Sequence, residues 1–160
     1  MKTKIFILLA SVALLACTKS PQPSAQGQAL LSILNADNHS LVVFNQDSIS
    51  YHNGRGVSDL LDLISNEPER LHGAIVADKM IGKAAAALMV AGQVSEVHTN
   101  LICTPAINVF RQADIPVFFR EEVPQILNRD RSGQCPIDGL LNETDDVEQC
   151  VQILKNKFQQ

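Results

Sequence analysis

The apolar positions of this chain follow two rhythms, one helical and one strand-like, that take turns from residue 28 to residue 157. Residues 28–36 place Leu30, Leu31, Ile33 and Leu34 along one side of a helix. Residues 40–44 are an unbroken apolar run, as in a strand covered on both faces. After a turn at Asn45-Gln46-Asp47, residues 48–52 alternate as a more marginal strand would, and the pair predicts a hairpin. Asn53-Gly54-Arg55-Gly56 interrupts the pattern, and residues 57–64 predict a helix with Leu60, Leu61 and Ile64 inward.

The organising stretch lies in the middle. Residues 73–77 read as a buried strand ended by Asp78. From Lys79 onward Ile81, Ala84, Ala85, Leu88 and Met89 keep helical spacing, which puts Asp78 at an N-cap and Gly92 just past the helix end. Residues 94–98 predict another strand. Thr104 caps a helix with Pro105 in its first position, and residues 115–119 form a strand that Pro116 confines to an edge. A short helix over 122–128, a loop over 129–139 around Cys135-Pro136 and an amphipathic helix over 145–157 complete the pattern. A helix, a hairpin and then alternating helices and strands require parallel crossovers. The predicted fold class is α/β, a three-layer α/β/α sandwich around a mixed five-stranded sheet of order 2-1-3-4-5, with strand 1 antiparallel.

The first residues change the picture of where the protein works. Lys2 and Lys4 precede an apolar run over 5–16 that is too short to span a bilayer and suits the core of a secretory signal. It ends in Leu14-Leu15-Ala16-Cys17, which resembles the lipobox of bacterial lipoproteins. That resemblance implies a signal over 1–16, acylation of Cys17 with palmitate-type chains, and an extracytoplasmic, membrane-anchored location. By resemblance to Gram-negative lipoproteins, Thr18 rather than aspartate after the cysteine favours the outer membrane. Residues 17–28, rich in Pro, Ser and Gln, read as a flexible tether to a domain over 29–160.

Loss of that signal removes two of 13 basic residues and none of 17 acidic ones, leaving a net charge of −6. With no tryptophan and few aromatic residues, this argues against a nucleic-acid partner. Cys103, Cys135 and Cys150 remain, in no zinc-type spacing, so neither a structural metal nor a cofactor is expected. Cys135 is read as part of a rigid loop or as a disulfide partner of Cys103, and Cys150 as a small packed residue.

Gly-Arg-Gly-Val (54–57), Ala-Asp-Lys-x-x-Gly-Lys-Ala-Ala-Ala (77–86), Asn128-Arg129 and Cys135-Pro136, in this order of elements, resemble the domain-of-unknown-function family 1893 of the cytidine deaminase-like fold. Zinc deaminases of that fold need His/Cys-x-Glu at one helix start and Pro-Cys-x-x-Cys at the next. This chain carries Gly54-Arg55-Gly56 and Asp78-Lys79 there instead, so zinc-dependent deamination is not expected. Ile137-Asp138 stands where the family resemblance implies Met-Glu.

Ligands of doubly wound sheets gather at the carboxyl ends of the strands. The expected site therefore brings Gly54, Arg55, Gly56, Asp78, Lys79 and Lys83 together at two helix starts, a positive seat for a phosphate or carboxylate in an acidic protein. Lys79 and Lys83, four apart on one helix face, would sit against the helix dipole, a conflict that an anion relieves. The plain alternative is a capping aspartate beside solvated charges. Lys79 and Cys103 are the candidate reacting groups of a metal-independent enzyme, with His52 or His98 as base. The leading expectation is a tethered module binding a small anionic, nucleotide-like ligand; a ligand-free interaction protein is the third reading, and homo-oligomer formation is left open.

Overall fold

The computed structural model describes residues 21–158; the expected signal, Cys17 and the first part of the tether lie outside them. Five strands, β1 (Leu41–Asn45), β2 (Ser48–His52), β3 (Ile75–Ile81), β4 (Glu96–Cys103) and β5 (Val117–Val123), form a sheet of order β2-β1-β3-β4-β5. β1 is antiparallel to both neighbours, and β3, β4 and β5 are parallel. The fold class and strand order are those the sequence predicts. Among the described residues no helix is long and apolar enough to cross a membrane.

The two faces are covered unequally. Among the described residues α1 (Ala25–Ala36) lies alone on one, with Leu30 and Leu34 packed on Val42 of β1 and Ala77 of β3. The three crossover helices, α2 (Ser58–Asn66), α3 (Lys83–Ala91) and α4 (Thr104–Gln112), share the other face, and the closing α6 (Val147–Phe158) lies against α3. α3 is buried from Lys83 to Met89. Its four consecutive alanines let neighbours approach on every side, so a helix that is apolar all round is stable only here, inside the stack.

α1 starts earlier than the pattern suggests. Ser24 caps it, accepting from the Gly27 N–H at 3.0 Å, while the Ser24 N–H and hydroxyl donate to Glu96 Oε1 at 2.9 and 2.7 Å. His98 Nε2 shares the same oxygen at 2.5 Å. A Cβ on Gly27 would stand 1.8 Å from that ring nitrogen, so the helix reaches the sheet only because residue 27 is glycine. Residues 24–28 are therefore cap and first turn rather than tether.

A single irregularity explains the other differences. Val76 and Ile81, five apart in β3, join the same core, as do Val97 and Ile102 in β4. Strict alternation would put the members of each pair on opposite faces. In β5, Val117 and Glu122 likewise share the α4 side. All three strands change phase in step. The register pairs Asp78 with Thr99 and Thr99 with Phe119, then Met80 with Leu101 and Leu101 with Glu121, leaving Lys79, Asn100 and Arg120 as an unpaired row between. Two side chains close the gap: Asp78 Oδ1 accepts from the Met80 N–H at 2.9 Å, and Thr99 Oγ1 from the Leu101 N–H at 3.3 Å.

The strands expected to end at residues 77, 98 and 119 thus continue to Ile81, Cys103 and Val123. Asp78 and Lys79 lie within β3, and Gly82 occupies the N-cap of α3. No helix forms over 122–128: Glu122 and Val123 belong to β5, and Leu127 bridges to Gln134. Cys103 is the N-cap of α4 in place of Thr104. Gly92 keeps a right-handed conformation, and Gln93 takes the left-handed one at φ 57°.

Candidate functional site

The predicted site residues divide into two groups. Gly54, Gly56, Asp78 and Lys79 line one cavity of about 220 Å³ with Ser40 and Asp59, whereas Arg55 is exposed in the adjoining loop. Lys83 lies in a different place, in a cleft of about 690 Å³ with Cys103, Thr104, Asn108, Arg111 and Asp138. The two lysines are not on one helix face. Lys79, on β3, donates to the Asn38 carbonyl at 3.0 Å and to its side-chain oxygen, so its charge sits at the carboxyl end of α1, where a cation is favoured.

In the small cavity the Asp59 carboxylate folds back over Gly54, with Oδ2 accepting from the Gly54 N–H at 2.7 Å. A Cβ on Gly54 would be 2.1 Å from Asp59 Oδ1. Burial pushes the Asp78 carboxyl up to about 7, against the Met80 N–H and Lys79 that draw it down and with Asp59 adding to the rise. The two acidic side chains and the lysine of this cavity are thus engaged by other groups of the protein.

The second junction meets the same need from further away. α5 (Pro136–Gly139) follows Cys135, and its Asp138 enters the core to cap α3, with Oδ1 accepting from the Ala84 N–H at 3.0 Å. A Cβ on Gly82 would be 2.3 Å from Asp138 Oδ2, so glycine there makes room for the carboxylate. Lys83 is buried in the first helical position, where the dipole opposes it, and three oxygens compensate. It donates to Asp145 Oδ1 at 2.6 Å and to the Leu141 carbonyl at 2.9 Å, and its charge attracts Asp138. Burial still raises the Asp138 carboxyl above the usual carboxylate range. The start of α3 is thus served by a carboxylate of the protein itself, while at the junction before α2 the Asp59 carboxylate is turned back onto the Gly54 N–H of the loop.

Cys103 lies at the floor of the cleft, 1% exposed, and burial pushes its thiol up, with Asp138 adding to the rise against the Ala106 N–H. The thiolate that a helix start was expected to favour is thus disfavoured. Neither expected base serves it. His98 is committed to Glu96 beneath α1, on the opposite face, and His52 bonds Ser50 in β2, which β1 and β3 separate from β4 by about 14 Å at ordinary strand spacing. Cys103, Cys135 and Cys150 are free thiols, Cys150 being buried as the pattern suggested.

Three residues in the cleft were missed. Thr104, Asn108 and Arg111 form a polar stripe at positions 0, +4 and +7 of α4, a spacing visible in the sequence once the helix start is right. Arg111 Nη1 donates to Asn108 Oδ1 at 2.9 Å, and among the described residues it has no carboxylate partner. Asp138 was legible as the acid following Cys135-Pro136, but its partner 54 residues upstream was not.

Fold and site define an α/β domain whose mixed five-stranded sheet carries a polar cleft at the carboxyl ends of its parallel strands. Gly54-Arg55-Gly56 and Gly82-Lys83-Ala84 at the two helix starts offer no thiolate or imidazole, and no group of three His, Cys, Asp or Glu among the described residues is placed to hold a metal ion. The chain belongs to the family described as TM1506, domain of unknown function (DUF1893), whose model matches residues 29–158. It is similar to the crystal structure of a DUF1893 family protein (TM1506) from Thermotoga maritima, with 27% identity and a TM-score of 0.77, covering 86% of this chain and 93% of that one. Two forms of Acinetobacter baumannii RibD are also similar, each 14% identical over 59% of this chain and about a third of theirs, with TM-scores of 0.41 and 0.45. Among curated proteins, none matches.

Proposed function

We propose that this domain binds a small polar ligand bearing one anionic group, nucleotide-like or sugar-phosphate-like, in the cleft between the starts of α3 and α4, and that an acylated Cys17 tethers it to an extracytoplasmic membrane surface. The observation that carries the ligand reading is Arg111. It is a guanidinium held in place by Asn108, with no carboxylate partner among the described residues, at the rim of a 690 Å³ cleft at the carboxyl ends of the parallel strands. Asn108, Gln125, Gln134 and Asn142 line the same cleft and supply donors and acceptors for the uncharged part of such a molecule. Relative to the anion seat expected at Arg55, Lys79 and Lys83, the charge that selects the ligand moves to Arg111, because both lysines already have oxygen partners. The raised Cys103 thiol and the engaged Lys79 support binding over covalent chemistry.

Isothermal titration against nucleotides and sugar phosphates tests the site. Arg111→Ala lowers the affinity of whichever ligand binds by roughly 10- to 100-fold, the worth of one charge-assisted hydrogen-bond pair. An unchanged affinity removes the site. Cys17→Ser tests the tether: the protein leaves the membrane fraction and loses incorporation of labelled palmitate, and retention with full labelling overturns the anchor.

A further inference from the structure

The phase change shared by β3, β4 and β5 has a consequence on the face that α1 occupies. α1 ends at Ala36, and Asn35 and Asn38 meet Asn100 and Lys79 in the unpaired row. Beyond that row the strands present Met80, Leu101 and Val123 to a groove of about 780 Å³ that no helix among the described residues lines. Its far wall is the segment after β5, where Leu127 is 45% exposed; Met80 on the floor is 49% exposed. Apolar side chains of this size, gathered in one concave place, mark a binding surface.

The rim carries the charge. Arg129 and Arg131 line the groove and have no side-chain hydrogen bond or ion pair among the described residues. The loop that bears them uses its own acid internally: Asp130 Oδ1 accepts from the Ser132 hydroxyl at 2.7 Å and from its N–H at 3.2 Å, and those bonds hold its carboxyl below the usual range. Asn128 fixes the loop, its N–H donating to the Gly133 carbonyl at 2.9 Å and its side chain to Ser132 at 3.0 Å, and Arg131 is held at φ 59°. Glu121 is the one carboxylate among the lining residues. This loop contains the Asn128-Arg129 pair of the family resemblance, which the cleft does not use.

We propose that this groove is a second binding site, for a free amphipathic carboxylate of the medium-chain fatty acid type. The alkyl chain lies on Met80, Leu101 and Leu127 and the carboxylate meets Arg129 and Arg131. A second copy of the chain fits less well, because a two-fold axis would set hollow against hollow and arginine pair against arginine pair.

Titration of the methyl-labelled protein with decanoate below its micelle concentration tests the assignment. The Met80 methyl resonance moves and that of buried Met89 does not. Decanol and inorganic phosphate each bind at least 10-fold more weakly than decanoate, and Arg129→Gln/Arg131→Gln costs decanoate at least 10-fold while Arg111→Ala, which addresses the cleft, costs nothing. A still Met80 resonance, phosphate binding as tight as decanoate, or an unaffected double variant overturns the site. So does a Met80 resonance that responds to protein concentration and not to decanoate, which would mark the face as a dimer contact, or to phosphatidylglycerol vesicles alone, which would mark it as a membrane contact.

Discussion

The two junctions where a strand gives way to α2 and to α3 face the same problem and solve it at different range. Both have a glycine under a carboxylate, Gly54 under Asp59 and Gly82 under Asp138. At the first, donor and acceptor are five residues apart and partly exposed, so the arrangement is local. At the second, donor and acceptor are 54 positions apart, Asp138 is 5% exposed, and the capped N–H is buried. The first closure could form in a short segment, whereas the second forms only when the loop ending in α5 has docked.

The largest effect should come from cutting the long-range closure. Asp138→Ala leaves the Ala84 N–H buried without a partner and Lys83 with less compensation, and should cost about 2–3 kcal/mol. Asp59→Ala should cost no more than about 1 kcal/mol, because water can reach the Gly54 N–H. Equal losses in urea unfolding would contradict the contrast. Next come the glycines. Gly82→Ala drives a methyl group into the Asp138 carboxylate, which has nowhere to move, and should cost about 2 kcal/mol. Gly54→Ala meets the end of the partly exposed Asp59 side chain, which can swing aside, for about 1 kcal/mol or less. A reversal of that order in thermal unfolding would place the rigid junction at α2.

The smallest effect depends on pH. In the folded protein Asp78 keeps its proton up to about pH 7, while the unfolded chain releases it near the ordinary aspartate value of 3.8. Between those values the folded state binds more protons, so this residue lowers stability as pH rises. Asp78→Asn, which still offers an oxygen to the Met80 N–H, should match the parent at pH 4 and exceed it at pH 8 by about 1–2 kcal/mol, less than full linkage because the carboxyl keeps some solvent contact. Asp138 is raised as well and is common to both proteins, so its contribution cancels in the difference. A gap that does not change with pH would contradict the reading.

How far the sequence could be read follows from the phase change. Periodicity located every strand and fixed the order, because Val42 and Val43, Val76 and Ala77, and Val97 and His98 do alternate between the two sides of the sheet. It stopped at residues 77, 98 and 119 since beyond them the apolar side chains fall on the other parity. Asp78 then resembled a helix cap, and its true task, closing the break with the Met80 N–H, has no signature in a linear pattern. The site misplacement has the same root. Shortening β3 by four residues carried Lys79 into a helix and next to Lys83, and produced a cationic pair that the folded chain keeps apart. Long-range partners such as Asp138 with Ala84, or Ser24 with Glu96, were beyond reach because nothing local requires them.

The central claim is that both strand-to-helix junctions are occupied by the protein's own carboxylates and that Arg111, steadied by Asn108, reads the ligand in the cleft. Backbone amide resonances followed during titration with a nucleoside monophosphate test it most directly. The account predicts that Asn108, Arg111 and Gln125 shift together while the amides of residues 54–56 and 82–84 stay in place. Movement first at Gly54 or at Lys83 and Ala84, with Arg111 unaffected, would contradict it.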